Sequence, residues 1–273
     1  MNLIELIQAA LLEDMPSGDL TTDCLAVKPK QGRAFLKAKQ DLVLSGSGPF
    51  EQTIQILEPS VKIKWLFEEG GKILRGQNIC TLEGDLIQIL KAERVALNFL
   101  GHLSGIATYA NQFVQQVEGT STKILDTRKT TPGLRELEKK AVLHGGGANH
   151  RMNLSAAILI KDNHISVMGG LAQAVERVRS HSQLPIEVEC KNLDEVKVAV
   201  QLMANRLLLD NMDNETLRQC LKVVPANIQT EASGNMSLDR VRSVALLGVN
   251  FISVGALTHS APVADVSLLF DWN

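Results

Sequence analysis

The sequence predicts an α/β protein, with an N-terminal α/β sandwich domain followed by an open, incomplete β/α barrel of six units. Three observations predict it. After Thr122, six short apolar runs (KILDTRK, AILIKD, PIEVEC, RLLLDN, IQTEAS and FISVG) each stop in polar residues, and each is followed by a helical pattern. Between Lys161, Glu189, Asp210, Ser233 and Gly255, near the ends of five of these runs, the intervals are 28, 21, 23 and 22 residues, a regular strand-plus-helix repeat. Near-continuous apolar strands alternating with amphipathic helices indicate a parallel layer buried on both faces. Before residue 108 the texture differs, with half-polar strands set among helical patterns. Six units fall short of the eight of a complete barrel.

Taken in order, residues 2–13 place Leu3, Ile4, Ile7, Leu11 and Leu12 at helical spacing, and Pro16 and Gly18 end that pattern. GDLTT reads as a turn whose Asp and Thr satisfy backbone donors. From Arg33 to Trp65 the order is strand, helix, strand; Val61, Ile63, Trp65 and Phe67 alternate with Lys62, Lys64 and Glu68 over most of the last run, as a sheet with one wet face requires. KILRGQNICTLEGD gives further strand and turn. Residues 86–118 are mostly helical, with a break expected near Gly101 to Gly105; Leu86, Ile89, Leu90, Ala96, Leu97 and Leu100 share one face, and Arg94 lies at its edge as a solvated charge. The domains are therefore 1–108 for the sandwich and 109–262 for the barrel, with 263–273 returning to the first.

Composition narrows function. The chain of 273 residues is 45% hydrophobic and 21% charged, with a formal charge of −2 and 4% aromatics, which leaves few stacking platforms or basic tracks for nucleic acid. No basic leader precedes the first apolar residues, and no stretch approaches the ~20 apolar residues of a membrane span. Cys24, Cys80, Cys190 and Cys220 are too scattered for a zinc site or a disulfide framework, so reduced thiols and a cytoplasmic location are expected.

The exception to the near-neutral balance is the stretch from Arg128 to Lys161, with seven Lys/Arg against two Glu. Such a local basic region favours a small polyanion. In parallel α/β folds ligands sit beyond the carboxyl ends of the strands. The residues there are Arg128, Lys129, Lys161, Glu189, Asp210, Ser233 with Gly234, and Gly255. Arg and Lys suit carboxylates and phosphates. Glu189 and Asp210 could hold Mg²⁺ between themselves and phosphate oxygens, or simply pair with Lys161 and Lys129; the residues alone leave both open. EASGN and SVGAL present small residues before helical segments, as phosphate-binding turns do. The loop HGGGANHR is no P-loop and serves to deliver His150 and Arg151. His144, His150 and His164 lack the spacing of a helical zinc pair, and hydrogen bonding is their expected role.

ILDTRKTTPGLRELEKKAVLHGGGANHRMNLSAAILIKDNHI, with KAERVALNFLGHLSGIAT before it and EVEC, LLLDNM, EASGN and VGALTHSAPVADVSL after it, resembles the quinolinate phosphoribosyltransferase family, as does GDLTT. The resemblance implies a transferase of NAD biosynthesis that joins quinolinate to 5-phosphoribosyl 1-pyrophosphate with Mg²⁺, giving nicotinate mononucleotide, pyrophosphate and CO₂. It implies that Arg128, His150 and Arg151 form the quinolinate pocket, with Thr127 in the same segment and Arg94 contributed by a neighbouring subunit of a homodimer or larger homo-oligomer. Lys129 and Lys161 match substrate-binding lysines, and Glu189 and Asp210 match acids near ribose and metal, directly or through water. Ser233, Gly234 and Asn235 with Val254, Gly255 and Ala256 match phosphate-binding turns. Alternatives are a nicotinate-using relative, a Schiff-base aldolase acting through Lys161, and a non-catalytic phosphoribose sensor. The tail LFDWN departs from the family's usual ending, as does Ala156, where many relatives carry Asp.

Overall fold

The computed structural model describes residues 2–26 and 28–272. Among the described residues the chain forms two compact units: one takes in the chain up to Asn111, Thr130–Gly146 and the chain from Ser260 onward, and the other Gln112–Lys129 and Gly147–His259.

The first unit opens with α1 (Leu3–Asp14), started by a reciprocal cap in which Glu5 N–H donates to Asn2 Oδ1 at 2.9 Å and Asn2 N–H donates to Glu5 Oε2 at 2.8 Å. Its Ile7 and Leu11 are buried with Val95, each contributing about 1.5–3 kcal/mol. GDLTT becomes the start of α2 (Leu20–Cys24), where Asp19 Oδ1 accepts the Thr21 and Thr22 N–H groups at 3.1 and 3.2 Å. There follow β1 (Gln31–Ala38), β2 (Leu42–Val43), α3 (Ser47–Leu57), β3 (Lys62–Trp65), β4 (Lys72–Ile73), β5 (Asn78–Asp85) and α4 (Leu86–Gln116). In β3 the lysines are exposed while Ile63 and Trp65 are half-buried, so the alternation gives one wet face. Leu36, Phe50, Ile54, Leu82 and Ile89 meet in the core.

Two expectations for α4 need correction. The helix runs unbroken through Gly101 and Gly105, because those glycines serve close approach: a Cβ on Gly101 would lie 3.0 Å from the Ala264 carbonyl oxygen, and one on Gly105 only 2.1 Å from that of Pro262. Leu90, placed on the apolar face by the helical wheel, is 37% exposed at the margin of that face.

The second unit begins with β6 (Lys123–Leu125). The segment after it, including α5 (Arg135–His144), belongs to the first unit and not to the barrel expected over 109–262. Packing explains this: His102 Nε2 lies 2.9 Å from Glu138 Oε1, Ser45 Oγ lies 2.9 Å from His144 Nδ1, and a Cβ on Gly145 would sit 2.4 Å from the Ala107 carbonyl oxygen. The remaining elements are β7 (Ile158–Ile160), α6 (Asp162–Met168), α7 (Leu171–Arg179), β8 (Ile186–Cys190), α8 (Leu193–Gln201), β9 (Arg206–Asp210), α9 (Asn214–Val223), β10 (Gln229–Ser233), α10 (Leu238–Ala245), β11 (Phe251–Ser253), α11 (Ala256–His259) and β12 (Val266–Asp271).

All six apolar runs of the second half are strands of one parallel sheet, in the order β6-β11-β10-β9-β8-β7. The α/β class and six-stranded layer are as the sequence predicts. In the first unit β12, β1, β5 and β3 form an antiparallel sheet in that order, with Phe35 opposite Leu269, so the chain end returns to the first sheet. Side chains alternate along each strand. On β8 that sends Ile186, Val188 and Cys190 to one face, and Glu187 and Glu189 to the other. On β9 Arg206, Leu208 and Asp210 share a face, as do Gln229, Glu231 and Ser233 on β10. None of the helices among the described residues is long and apolar enough to cross a membrane.

Candidate active site

Those inner faces converge on a cavity of about 760 Å³ at the carboxyl ends of the six strands. Its walls include Thr127, Arg128, Lys129, His150, Arg151, Lys161, Glu189, Asp210, Ser233, Gly234, Asn235, Val254, Gly255 and Ala256. Of the residues singled out in the sequence, Arg94 is the one that does not line it; it lies exposed on α4.

The basic side begins where β6 ends. Lys129 N–H donates to Thr127 Oγ1 at 3.1 Å, and the Lys129 carbonyl accepts Thr258 Oγ1–H at 2.7 Å, which ties the Thr127–Lys129 turn to α11. Arg151 donates from Nη1 to the Ala157 carbonyl at 2.8 Å. Burial, followed by the positive charge of Arg128, holds the Arg151 pKa below its usual value. Two guanidinium groups that repel one another at a pocket wall are primed for a dianion.

Two acids line the same cavity. Glu189 Oε2 lies 3.8 Å from Lys161 Nζ, and Asp210 Oδ2 accepts from Asn211 Nδ2 at 2.7 Å. Burial raises the Glu189 pKa; Lys161 counteracts it and the negative charge of Asp210 adds to it. The ion pair with Lys161 is therefore present, yet Asp210 still opposes ionisation of Glu189, and a cation between the two would relieve that.

The turn after β10 is shaped by left-handed backbone at Gly234 (φ 92°) and Asn235 (φ 49°). Gly234 also needs to lack a side chain, since a Cβ there would meet Asn211 Oδ1 at 2.2 Å. At Gly255 a Cβ would come within 3.1 Å of the Lys129 side chain and 3.2 Å of His259 Nε2. Both turns thus keep main chain close to the cavity.

Below this rim lies a second polar layer, which the list of strand-end residues missed. His150 Nε2 lies 3.1 Å from Glu187 Oε2 and 3.6 Å from Glu231 Oε2, and Arg206 Nη1 lies 3.3 Å from Glu231 Oε2. His150, Glu187 and Glu231 bring possible ligand atoms within 4.8 Å of one another. Asn211, Ser253 and His259 also line the cavity and were not singled out. The missed signal was period two: Glu187 precedes Glu189 by two residues and Glu231 precedes Ser233 by two, so each shares its partner's face. His164 Nδ1 accepts Lys161 N–H at 3.0 Å, and His144 takes the Ser45 contact above, so hydrogen bonding is the role of both.

Fold and pocket together define a class, a β/α-barrel protein whose strand ends converge on a basic, anion-accepting site. Family models place it further. The model described as the quinolinate phosphoribosyl transferase C-terminal domain matches residues 106–269, and its N-terminal counterpart matches 19–104. A Synechocystis protein named a probable nicotinate-nucleotide pyrophosphorylase [carboxylating] is 40% identical over 267 residues, covering 96% of this chain and 90% of its own. The nicotinate-nucleotide pyrophosphorylase structure from Ehrlichia chaffeensis superposes with a TM-score of 0.95 at 35% identity, covering 99% of each chain. That from Francisella tularensis gives 0.92 at 36% identity, over 98% of this chain and 96% of that one. The chain belongs to the quinolinate phosphoribosyltransferase family.

Proposed function

We propose that the protein is a pentosyltransferase of NAD biosynthesis that converts quinolinate and 5-phosphoribosyl 1-pyrophosphate to nicotinate mononucleotide, pyrophosphate and CO₂. The observation that carries the reading is one cavity lined by Arg128, Arg151, Glu189 and Asp210, in which the charge of Arg128 acts on Arg151 and that of Asp210 on Glu189. An adjacent pair of carboxylates suits the two guanidinium groups; a phosphorylated ribose suits the lysines and the turns at Ser233–Asn235 and Val254–Ala256.

The reaction follows from the charges. The pyridine nitrogen forms a bond to ribose C1 as the C1–O bond to pyrophosphate breaks, and the electron pair leaves with pyrophosphate. Positive charge developing on the ribose is met by Glu189 and Asp210, while Lys129 and Lys161 take up the leaving group's negative charge. The carboxylate beside the now-cationic ring nitrogen departs as CO₂, its bonding pair stays on the ring carbon, and a proton then fills that position. Quinolinate itself supplies the electron sink. The protein's main task is to hold two mutually repelling anions in contact.

Glu189 and Asp210 fit Mg²⁺, which takes one or two carboxylates together with phosphate and water oxygens. When bound it would neutralise pyrophosphate charge. Arg94, exposed on α4 and not among the residues that line the cavity, fits a residue lent to a second copy, which makes the working unit a homodimer or larger homo-oligomer. A cytoplasmic location agrees with free cysteines at 24, 80, 190 and 220. Lys161, with a half-exposed side chain paired to Glu189, lacks the apolar surroundings that activate a Schiff-base lysine.

The test is turnover of quinolinate labelled in the carboxyl beside the ring nitrogen, with 5-phosphoribosyl 1-pyrophosphate and Mg²⁺. Equal amounts of labelled CO₂ and nicotinate mononucleotide are expected. Mononucleotide formed from nicotinate but not from quinolinate would reassign the activity.

A further inference from the structure

Three polar atoms of His150 lie against groups of the protein itself. Its backbone N–H donates to Asp126 Oδ1 at 2.8 Å, with Asp126 wholly buried just after β6. Its Nδ1 accepts the Arg151 backbone N–H at 2.7 Å, and its Nε2 faces Glu187 and Glu231 at 3.1 and 3.6 Å. Glu231 is fully buried, and the same oxygen, Oε2, is also met by Arg206, whose guanidinium lies 4.2 Å from the Phe251 ring centroid. The acceptor role of Nδ1 puts the ring's proton on Nε2, facing the acids. Both ring nitrogens thus have a group of the protein within 3.1 Å.

Arg151 needs such a hold. Arg128 repels it, so a pair of guanidiniums aimed at one ligand persists only if its backbone is fixed against that repulsion. The Ala157 carbonyl fixes the guanidinium end, and the His150 ring fixes the backbone end.

We propose that Glu187, Glu231 and Arg206 are positioning residues that act through His150: they lock the imidazole, the imidazole locks the Arg151 backbone, and Arg151 is thereby aimed at the anionic pyridine substrate. This rests on the function proposed above, and it gives His150, which lines the cavity, a positioning task beside the contact with quinolinate that the family resemblance implies. Charge bookkeeping agrees. Arg206 neutralises one of the two acids, and one further proton makes the layer neutral. Burial and the negative charge of Glu187 push the Glu231 carboxyl up to about 7, which places that proton within reach of neutral pH. For His150, burial lowers the pKa, but the hydrogen bond to Glu187 and the charge of Glu231 outweigh it and leave it raised.

The experiment is steady-state kinetics on Glu187→Gln, because Glu187 keeps His150 in place yet does not line the cavity. Quinolinate KM should rise roughly 10-fold, the scale of one weakened charge-assisted hydrogen bond, with kcat and the KM for 5-phosphoribosyl 1-pyrophosphate within about 2-fold of the unmodified protein. Arg206→Lys, a milder change that keeps the charge but gives up the stacking on Phe251, should show the same split to a smaller degree, and serves if the first variant does not fold. Unchanged quinolinate KM in a folded variant would overturn the proposal, as would both KM values rising together. So would a stoichiometric divalent metal that survives dialysis before any Mg²⁺ is added and is lost from Glu187→Gln. Failure of the unmodified protein to use quinolinate would instead sink the functional reading.

Discussion

The rim and the floor of the cavity are built from the same strands, often two residues apart, yet they are wired differently. At the rim, Lys161 and Glu189 stand 3.8 Å apart with the lysine side chain 49% exposed, and Asp210 is met by an amide. At the floor, Glu231, which lines the cavity, and Glu187, which does not, are almost sealed from solvent and close onto His150 and Arg206. A charged group buried among close charged neighbours holds shape, whereas one left partly solvated with its charge unbalanced can take a ligand. The difference teaches that depth along a strand, more than residue type, separates support from binding in this barrel.

Substitution at the rim should break function without breaking the fold. Asp210→Asn or Lys161→Ala is expected to lower kcat by roughly 100-fold or more, as loss of a charge aimed at the reacting centre does, with Tm within a degree or two of the unmodified protein. Steady-state rates set beside a thermal melt would show it; a fall in both together would erase the distinction. At the floor the reverse holds. Glu231→Ala removes the partner of Arg206 and one of the acids facing His150, and should destabilise the fold by roughly 2–4 kcal/mol, at or below the range for a broken buried pair because the Arg206 side chain is 25% exposed. Denaturant unfolding measures that directly.

Much of this was legible in the sequence, and the reasons for the exceptions are physical. Six apolar runs with polar ends marked six parallel strands, because a strand covered on both faces has little choice but to be apolar throughout. The rim residues were legible because ligands gather where strands end. The floor was not, since Glu187 and Glu231 interrupt otherwise apolar runs and read as noise unless the period of two is followed inward from Glu189 and Ser233. Gly101 and Gly105 were read as helix breakers when they are contact sites for Ala264 and Pro262, a fact that depends on residues some 160 positions later in the chain. Shorter separations of 36 and 99 positions hid the placement of α5, whose partners His102 and Ser45 come earlier in the chain.

A subtler contrast lies in pH. Glu231 has its folded pKa raised from 4.5 to about 7, so the folded state binds its proton more tightly than the unfolded chain does. Its contribution is therefore fully present below pH 4.5 and is lost as pH rises toward about 7. Glu231→Gln, neutral at every pH, should lose less stability than the unmodified protein between pH 5 and 7, and the difference between two unfolding series isolates this group. A matching slope in both proteins would show that Glu231 is ionised throughout. Smaller still, Gly234→Ala should cost roughly 1–2 kcal/mol through its left-handed φ of 92° and the clash with Asn211 Oδ1. The loss should fall chiefly on the KM for 5-phosphoribosyl 1-pyrophosphate.

The central claim is that the paired guanidiniums of Arg128 and Arg151 read two carboxylates. The most direct measurement is the ratio of kcat/KM for quinolinate to that for nicotinate in the unmodified protein, both at saturating 5-phosphoribosyl 1-pyrophosphate and Mg²⁺. Nicotinate lacks one carboxylate and would leave a guanidinium without its partner, so the ratio should be roughly 10-fold or more, and Arg151→Lys, which keeps the charge but loses the planar fork, should shrink it. A ratio near one, unmoved by Arg151→Lys, would contradict the assignment.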